Sequence, residues 1–309
     1  MGKISLRAYN QENERLIDQG QALQAIAHCQ HILKFFPKHL DTYRLLGKAY
    51  IETHRYTEAA DVLQRLLSSL PDDFISQVGM SIIHEDEGNL DAAIWHMERA
   101  FEAHPSNGAV QDELRRLYGR RDGMEPSKIR LTRGALVRMY ARGELFHQAI
   151  AEIRASIAED QQRIDLEVIL AKMYYLSGDS ISATEVCGRI IKKLPYCYEI
   201  NQLLVEILPT TARAEDADVY RQRLVAMDPY IAHVPPGAVS SAAAPDKSIM
   251  LDHLEWDSSK PAEQTPEWAK TLGAPWADAE ETLPDWFSEI KPEADIIETI
   301  PSTKEEEPA

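Results

Sequence analysis

The chain has 309 residues and a formal net charge of −17, and 44% of its residues are hydrophobic, 27% charged and 7% aromatic. This is the composition of a folded soluble protein, and the length exceeds the roughly 100 to 200 residues of a typical domain. Nucleic acid and anionic membranes are not expected as main partners, because both would repel so acidic a chain.

Prolines recur along the chain at an interval of 34 residues. The interval separates Pro37 from Pro71 and Pro71 from Pro105, and it returns between Pro195 and Pro229. An alanine stands twelve residues before each of these prolines: Ala25, Ala59, Ala93, Ala183 and Ala217. In three units a glycine stands five residues before the alanine: Gly20, Gly88 and Gly178. A fixed interval of this length indicates a repeated structural unit.

Each of these marks has a mechanical role in a hairpin of two helices. Glycine accepts the left-handed conformation that ends the first helix, alanine allows close packing of the second helix, and proline ends it. The apolar spacing agrees, because Tyr43, Leu46 and Tyr50 fall on one face of a helix. One hairpin cannot bury its own apolar face, so we expect neighbouring hairpins to stack into a superhelix.

The second unit carries the most complete pattern: Tyr43-x-x-Leu46-Gly47-x-x-Tyr50, then Ala59-x-x-x-Leu63, then Pro71. This pattern resembles that of the tetratricopeptide repeat family, with Tyr for its usual Trp and Leu for its usual Phe. The resemblance covers about three quarters of the chain. It implies an all-α solenoid of about six helical hairpins.

We place the units at residues 6–39, 40–73, 74–107, 129–163, 164–197 and 198–231. They form a first block over residues 6–107 and a second block over 129–231, joined by a connecting helix and turn over 108–128. The fourth unit departs from the pattern. It has one residue too many between Gly143 and Ala149, and it lacks the closing proline.

The resemblance implies that the first helix of each hairpin lines a concave groove. The groove-facing positions that we select as peptide-binding candidates are Arg44, Lys48, Ile51, Val78, Ile82, Arg130, Arg133, Tyr140, Lys172 and Tyr175. Cations and aromatic rings on an acidic protein would attract an acidic, extended peptide. The alternative is that these residues form ordinary solvated helix faces, with the tyrosines filling core positions.

Residues 232–309 differ in character from the repeats. They are acidic and rich in proline, and we expect most of them to be disordered, because they cannot bury enough apolar area to offset the entropy of ordering. Large aromatic residues are nevertheless present, and we select a candidate tail motif: Trp268, Trp276, Trp286 and Phe287. These rings would bind a partner or the groove, or pack on the last repeat as an irregular cap.

No catalytic motif, phosphate-binding loop or dinucleotide-binding glycine pattern occurs in the sequence, so we predict that the chain is not an enzyme and uses no cofactor. His28 and His31 could supply half of a metal site, but the sequence offers no obvious third ligand and we predict none. Cys29 and Cys187 are expected to fill the core, while Cys197 lies at a repeat junction.

The expected compartment is the cytoplasm. No stretch reaches the roughly 18 apolar residues of a membrane span, so direct membrane insertion is not expected. Residues 1–10 also lack the apolar core of a signal peptide.

These observations predict a scaffold that binds a protein or peptide partner in its groove, with the tail as a linear motif or an autoinhibitory segment that docks on the solenoid. The alternative is a regulatory or substrate-recruiting subunit of a secretion, envelope-assembly or signalling machine whose catalytic chain is separate. The same solenoid would serve either role.

Overall fold

The computed structural model describes residues 2–238 and 240–257, together with Ala269 and Trp276. Within these residues the fold is all-α, as predicted, apart from one short antiparallel sheet. The helices are α1 Leu6–Asp18, α2 Ala22–Phe35, α3 Leu40–Glu52, α4 Tyr56–Ser69, α5 Phe74–Asp86, α6 Leu90–Ala103, α7 Gly108–Asp122, α8 Arg133–Arg142, α9 Phe146–Glu159, α10 Ile164–Leu176, α11 Ser180–Lys193, α12 Tyr198–Ile207 and α13 Ala217–Met227. Among them, no helix has both the length and the apolar composition needed to cross a lipid bilayer.

The helices pair in chain order as six hairpins, with α7 inserted between the third and the fourth. One apolar core fills the first two hairpins and another fills the last three. Cys29 and Cys187 lie in these cores without exposed surface, which confirms the prediction that they fill the core. Cys197 is also buried, and burial raises the pKa of its thiol.

The turn inside each hairpin depends on one residue in the left-handed conformation. Gly20, Gly88 and Gly178 have φ angles of 75°, 77° and 88°, as the sequence pattern predicts. In the second and fourth hairpins the same place is taken by His54 and Glu144, with φ angles of 55° and 57°. In two of the repeats, a residue with a side chain thus adopts a backbone conformation that glycine adopts without strain.

The fourth unit therefore has no extra residue. Gly143, which we took as the turn glycine, has a φ of −85° and only ends α8. The left-handed residue is Glu144, which precedes Ala149 by five positions, the same spacing that separates Gly20 from Ala25. The prediction of one residue too many between Gly143 and Ala149 is wrong, because it rested on the assumption that only a glycine could make this turn.

We expect Glu144→Gly to stabilise the protein by about 0.5–1 kcal/mol. Relief of the left-handed strain is worth about 1–2 kcal/mol, and the added freedom of glycine in the unfolded chain removes about 0.4–1 kcal/mol of this gain. Gly143→Ala is the matched control and should have little effect, because that residue has an ordinary φ. Urea unfolding measures both changes. A large loss from Gly143→Ala with no gain from Glu144→Gly would contradict the assignment.

A buried ionic network joins the two halves of the solenoid. Glu102 of α6 has no exposed surface, and its carboxylate accepts hydrogen bonds from Arg163 at 2.5 Å and from the Thr132 hydroxyl at 2.7 Å. Arg163 also forms two 2.9 Å hydrogen bonds with Asp165 at the start of α10. Arg138 of α8 lies 3.3 Å from Asp165 and also forms an ion pair with Asp72 in the loop that follows α4.

Charge balance makes this network tolerable in a buried position. Arg138 reaches Asp72 at 3.0 Å, and Arg99 lies 3.3 Å from Glu102 and 3.1 Å from Glu98, so each acid of the network faces at least one arginine. Burial by itself would raise the pKa of Asp165, but Arg163 and Arg138 outweigh it and hold that pKa below its usual value. Removing one partner of such a set typically costs about 3–5 kcal/mol, because the remaining charge stays buried.

Gly134 on α8 allows the close approach that this network requires. A β-carbon at this position would fall on the carboxylate of Glu102. We expect Gly134→Ala to destabilise the protein by about 1–3 kcal/mol, because it would displace the buried carboxylate from Arg163. Gly108→Ala is the matched control, since a β-carbon there meets nothing within 4 Å. Urea unfolding of both variants checks the prediction, and equal stability of the two would contradict it.

Residues beyond the last hairpin continue as an ordered segment, which we call the C-terminal extension and define as residues 229–254 apart from residue 239. It contains three short 3-10 turns and ends in strand β2, Met250–Asp252, which pairs antiparallel with β1, Lys3–Ser5. The expectation that most of residues 232–309 are disordered does not hold for the described residues 232–238 and 240–257. No pattern in the sequence predicts that residues near the amino terminus supply the partner strand.

Arg7 of α1 fastens the middle of the C-terminal extension. Its guanidinium donates to the carbonyl oxygens of Ser241 and Ala244, at 2.5 and 2.7 Å, and forms an ion pair with Asp246 at 2.7 Å. The same group lies 3.8 Å from the ring centroid of Tyr230. The first helix is therefore covered by chain that follows the last hairpin.

Candidate peptide-binding site

The last hairpin contacts the first two, and we call this junction the seam. Leu224 and Met227 of α13 share an apolar core with Tyr43 of α3. At the surface of the junction, the ammonium group of Lys38 lies 3.6 Å from the centroid of the Tyr196 ring. The seam thus joins the loop after α2 with the loop after α11, although about 160 residues separate them in sequence.

An open cleft of about 410 Å³ lies beside the seam. Helix α1, the start of α3 and the C-terminal extension form its walls. Its charged and aromatic lining residues are Arg7, Glu14, His39, Asp41, Arg44, Asp228 and Tyr230. A smaller pocket of about 160 Å³ shares His39, Asp41, Arg44 and Asp228 with it and extends to Leu70 and Met227. The two pockets are therefore parts of one surface, which we call the seam cleft.

Both cations of the seam cleft are ion-paired within the chain. Arg44 contacts Asp41 at 2.6 Å and Asp73 at 2.7 Å. Arg7 is held by Asp246. Asp73 also accepts hydrogen bonds from the backbone nitrogen and the hydroxyl of Ser76, so it caps α5. The positive charges are thus committed to structural contacts, and the cleft has no excess of cations.

His39 forms a rigid part of the cleft wall. It is 4% exposed, and its Nδ1 lies 2.8 Å from the hydroxyl of Thr42, which donates to the side-chain oxygen of Asn10 at 3.0 Å. Burial lowers the pKa of His39, although Asp41 and Asp228 oppose this effect. At neutral pH the imidazole is therefore uncharged.

One residue of the predicted tail motif reaches the seam. Trp276 is 7% exposed, and its ring meets those of Tyr43 and Tyr196 edge to face, with centroid distances of 5.3 and 5.9 Å. The guanidinium of Arg65 lies 5.7 Å from the indole centroid. Burial raises the pKa of the Tyr43 hydroxyl, against the opposing effect of hydrogen bonds from Arg65 and Trp276. Tyr43, Tyr196 and Arg65 thus form an aromatic and cationic surface for the indole, which we call the tryptophan seat.

Of the ten predicted groove residues, only Arg44 lines the seam cleft. Lys48 extends towards α1 and pairs with Asp18 at 2.8 Å. Arg133 is turned towards α9, where it pairs with Glu159 at 3.0 Å.

The other predicted groove residues are divided between packing and solvent. Half-buried side chains that pack on the apolar cores are Ile51, Val78, Tyr140 and Tyr175. Ile82 is half-buried, and Arg130 and Lys172 are exposed. Burial and the neighbouring Asp72 raise the pKa of the Glu199 carboxyl, and the positive charges of Lys172 and Arg138 oppose this shift. Within the described residues, these ten side chains do not converge on one site.

The remaining members of the tail motif, Trp268, Trp286 and Phe287, lie outside the described residues. Sequence reasoning missed His39, Asp228, Tyr230 and the ring pair of Tyr43 with Tyr196. The sequence contains one indication of this site. Tyr196 and Tyr198 flank a repeat junction, and the repeat pattern does not account for these two aromatic rings. Their convergence with α3 depends on the closure of the superhelix, which no local pattern reveals.

Comparison with known proteins gives one family match. The model described as "Tetratricopeptide repeat" matches residues 16–77. No curated protein matches the chain.

Several solved structures are similar to parts of the chain. MamA of MSR-1 is 16% identical, with 63% of this chain and 94% of MamA covered and a TM-score of 0.33. PilF of Pseudomonas aeruginosa is 13% identical, with 72% and 91% covered and a TM-score of 0.29. The TPR2AB domain of yeast Sti1, solved as a complex with pHSP90, is 13% identical, with 71% and 90% covered and a TM-score of 0.33. At TM-scores below 0.5, neither the path of the superhelix nor a partner follows from these likenesses.

We expect His39→Gln to reduce the loss of stability that accompanies a fall from pH 7 to pH 5.5. The pKa of His39 is lowered in the folded protein. Below an unfolded pKa of about 6.5 the unfolded chain therefore binds a proton that the folded chain does not, and stability falls with pH. The variant lacks this difference in proton binding, so its stability should fall less over the interval.

Urea unfolding at both pH values measures this difference. His147→Gln is the matched control, because His147 is exposed on α9. An equal pH-dependent loss in His39→Gln and in the parent protein would contradict the prediction.

Proposed function

Residues 16–77 match the tetratricopeptide repeat model, and we propose that the chain is a non-catalytic scaffold that binds a segment of a partner protein at the seam, on the surface formed by Tyr43, Tyr196 and Arg65. We further propose that its own Trp276 acts as an internal ligand of this surface. The partner would enter through an aromatic side chain that replaces the indole on Tyr43 and Tyr196. The tail would thus be an autoinhibitory segment.

The burial of Trp276 is the observation that carries this proposal. A tryptophan well beyond the last hairpin is seated between two tyrosine rings and a guanidinium, and it belongs to the apolar core of the first two hairpins. Edge-to-face aromatic pairs contribute about 0.5–1.5 kcal/mol beyond the burial of area. Buried tryptophans of this kind are typical anchors of binding segments.

Electrostatics favour an aromatic anchor over a purely acidic ligand. Arg44, Lys48 and Arg133 are ion-paired with acids of the chain itself. An acidic peptide would therefore have to compete with carboxylates that are already in place. The sequence around Trp276, Ala274-Pro275-Trp276, shows the type of segment that the seat accepts, a proline beside a large ring.

Tethering allows the internal ligand to compete even if each contact is weak. A ligand segment tethered within the same chain can have an effective concentration in the millimolar range. If the free segment binds with a Kd of about 0.1 mM, about nine tenths of the sites are occupied internally and an external ligand is weakened about tenfold. Partner binding would thus be reduced without being abolished.

A competition experiment with the full-length protein tests this proposal. The probe is a fluorescein-labelled peptide with the sequence of residues 270–282, and fluorescence anisotropy measures its binding. We expect the Trp276→Ala variant to bind the peptide about tenfold more tightly than the parent protein, because the internal ligand is removed. Replacing Tyr196 by alanine in that variant should weaken binding again, because one wall of the seat is lost.

Two controls identify the residue responsible. Trp286→Ala retains the internal ligand, so its peptide affinity should equal that of the parent protein. A peptide in which Trp276 is replaced by alanine should not bind. Equal affinities of the parent and the Trp276→Ala variant, or no binding to either, would rule out the internal ligand.

A further inference from the structure

Three metal-ligating side chains meet where the C-terminal extension crosses the first hairpin. They are Glu12 of α1, His28 of α2 and His253, which follows β2. Each offers one ligand atom, and these atoms all lie within 4.8 Å of one another. Two imidazoles and a carboxylate therefore converge from three separate parts of the chain.

Hydrogen bonds and ring contacts hold the three ligands in place. Nε2 of His253 lies 3.1 Å from both carboxylate oxygens of Glu12. The ring of His253 stacks on Tyr9, with a centroid distance of 4.8 Å, and its centroid is 5.2 Å from that of His28. The Tyr9 hydroxyl also accepts a hydrogen bond from the backbone nitrogen of Leu254 at 3.1 Å. Tyr9 thus braces both imidazoles.

His28 is the buried member of the set, with 1% of its surface exposed. Burial, helped by the neighbouring His253, lowers its pKa to about 4. Its two ring nitrogens face the Tyr9 hydroxyl at 2.8 Å and the Gln24 amide at 3.3 Å. When one nitrogen binds a metal, the other keeps a hydrogen-bonding partner, which is the arrangement that orients metal-bound histidines in proteins.

We propose that Glu12, His28 and His253 form a Zn²⁺ site that fastens the C-terminal extension to the first hairpin. Two histidines and one glutamate are a frequent zinc ligand set, with water in the fourth position. Zinc–nitrogen distances of about 2.0–2.1 Å bring tetrahedral ligand atoms to about 3.3 Å apart. Glu12 and His253 are partly exposed and can close this distance by side-chain rotation.

The hydrogen bond between Glu12 and His253 accounts for two members of the cluster. His28 adds a second imidazole within 4.8 Å of both, and it would exchange one of its present hydrogen-bonding partners for the ion. Two imidazoles and one carboxylate are a donor set that a divalent cation takes. Bound Zn²⁺ would contribute its binding free energy to the folded state and so hold the C-terminal extension against the first hairpin.

Zinc titration of the full-length protein, freed of metal by a chelator, tests the site. Isothermal titration calorimetry with Zn²⁺ alone should give one ion bound per chain. Glu12→Gln and His253→Gln should each weaken the affinity by about tenfold or more, because each removes one of three ligands. The matched control is His31→Gln. His31 contacts the carbonyl oxygen of Asp252 at 2.9 Å but lies outside the ligand set, so its zinc affinity should be unchanged.

Proteolysis reports where the ion acts. Zn²⁺ should slow tryptic cleavage after Lys247, which lies in the C-terminal extension, in the parent protein and in His31→Gln but not in His253→Gln. Absence of stoichiometric binding would overturn the proposal. Equal affinities in the parent, Glu12→Gln and His253→Gln would do the same, because the ion would then occupy another place.

Discussion

The structure depends on one constraint of repeated helical hairpins, which is that the first and the last units have an apolar face with no neighbour to cover it. Here the two ends cover one another. Met227 of the last hairpin joins the core that contains Tyr43, and the C-terminal extension pairs with β1 and packs against Tyr9 and Leu6. The seam cleft is a consequence of this closure, because it lies between surfaces that are far apart in sequence and brought together only by the turn of the superhelix.

The buried ions fix the geometry at the other junction of the chain. An apolar contact between α6, α8 and α10 would tolerate sliding, whereas Glu102, Arg163 and Asp165 must each find a partner in a defined direction. The network therefore links α6, α8 and the start of α10 through contacts of defined direction.

Local features were predictable from the sequence, and long-range ones were not. The 34-residue interval predicts the hairpins because each turn, close contact and helix end requires a particular residue type. His54 and Glu144 show the limit of this rule, because a residue other than glycine can occupy the left-handed position at a modest cost in free energy. The groove prediction placed Arg44 in the cleft but missed its wall, because that wall includes Asp228 and Tyr230. Likewise, His253, which lies beside His28 in the fold, is 225 positions away in the sequence.

Two attachments hold the C-terminal extension in place beside the seam cleft. Arg7 binds the extension through Asp246 and Ala244, and β1 and Glu12 hold it through β2 and His253. Undocking this segment would break both sets of contacts and uncover Tyr230 and Leu251, which are 2% and 5% exposed. Displacing Trp276 exposes one ring and leaves both attachments intact. The C-terminal extension is therefore a fixed wall of the seam cleft, held by contacts that are separate from those that bury Trp276.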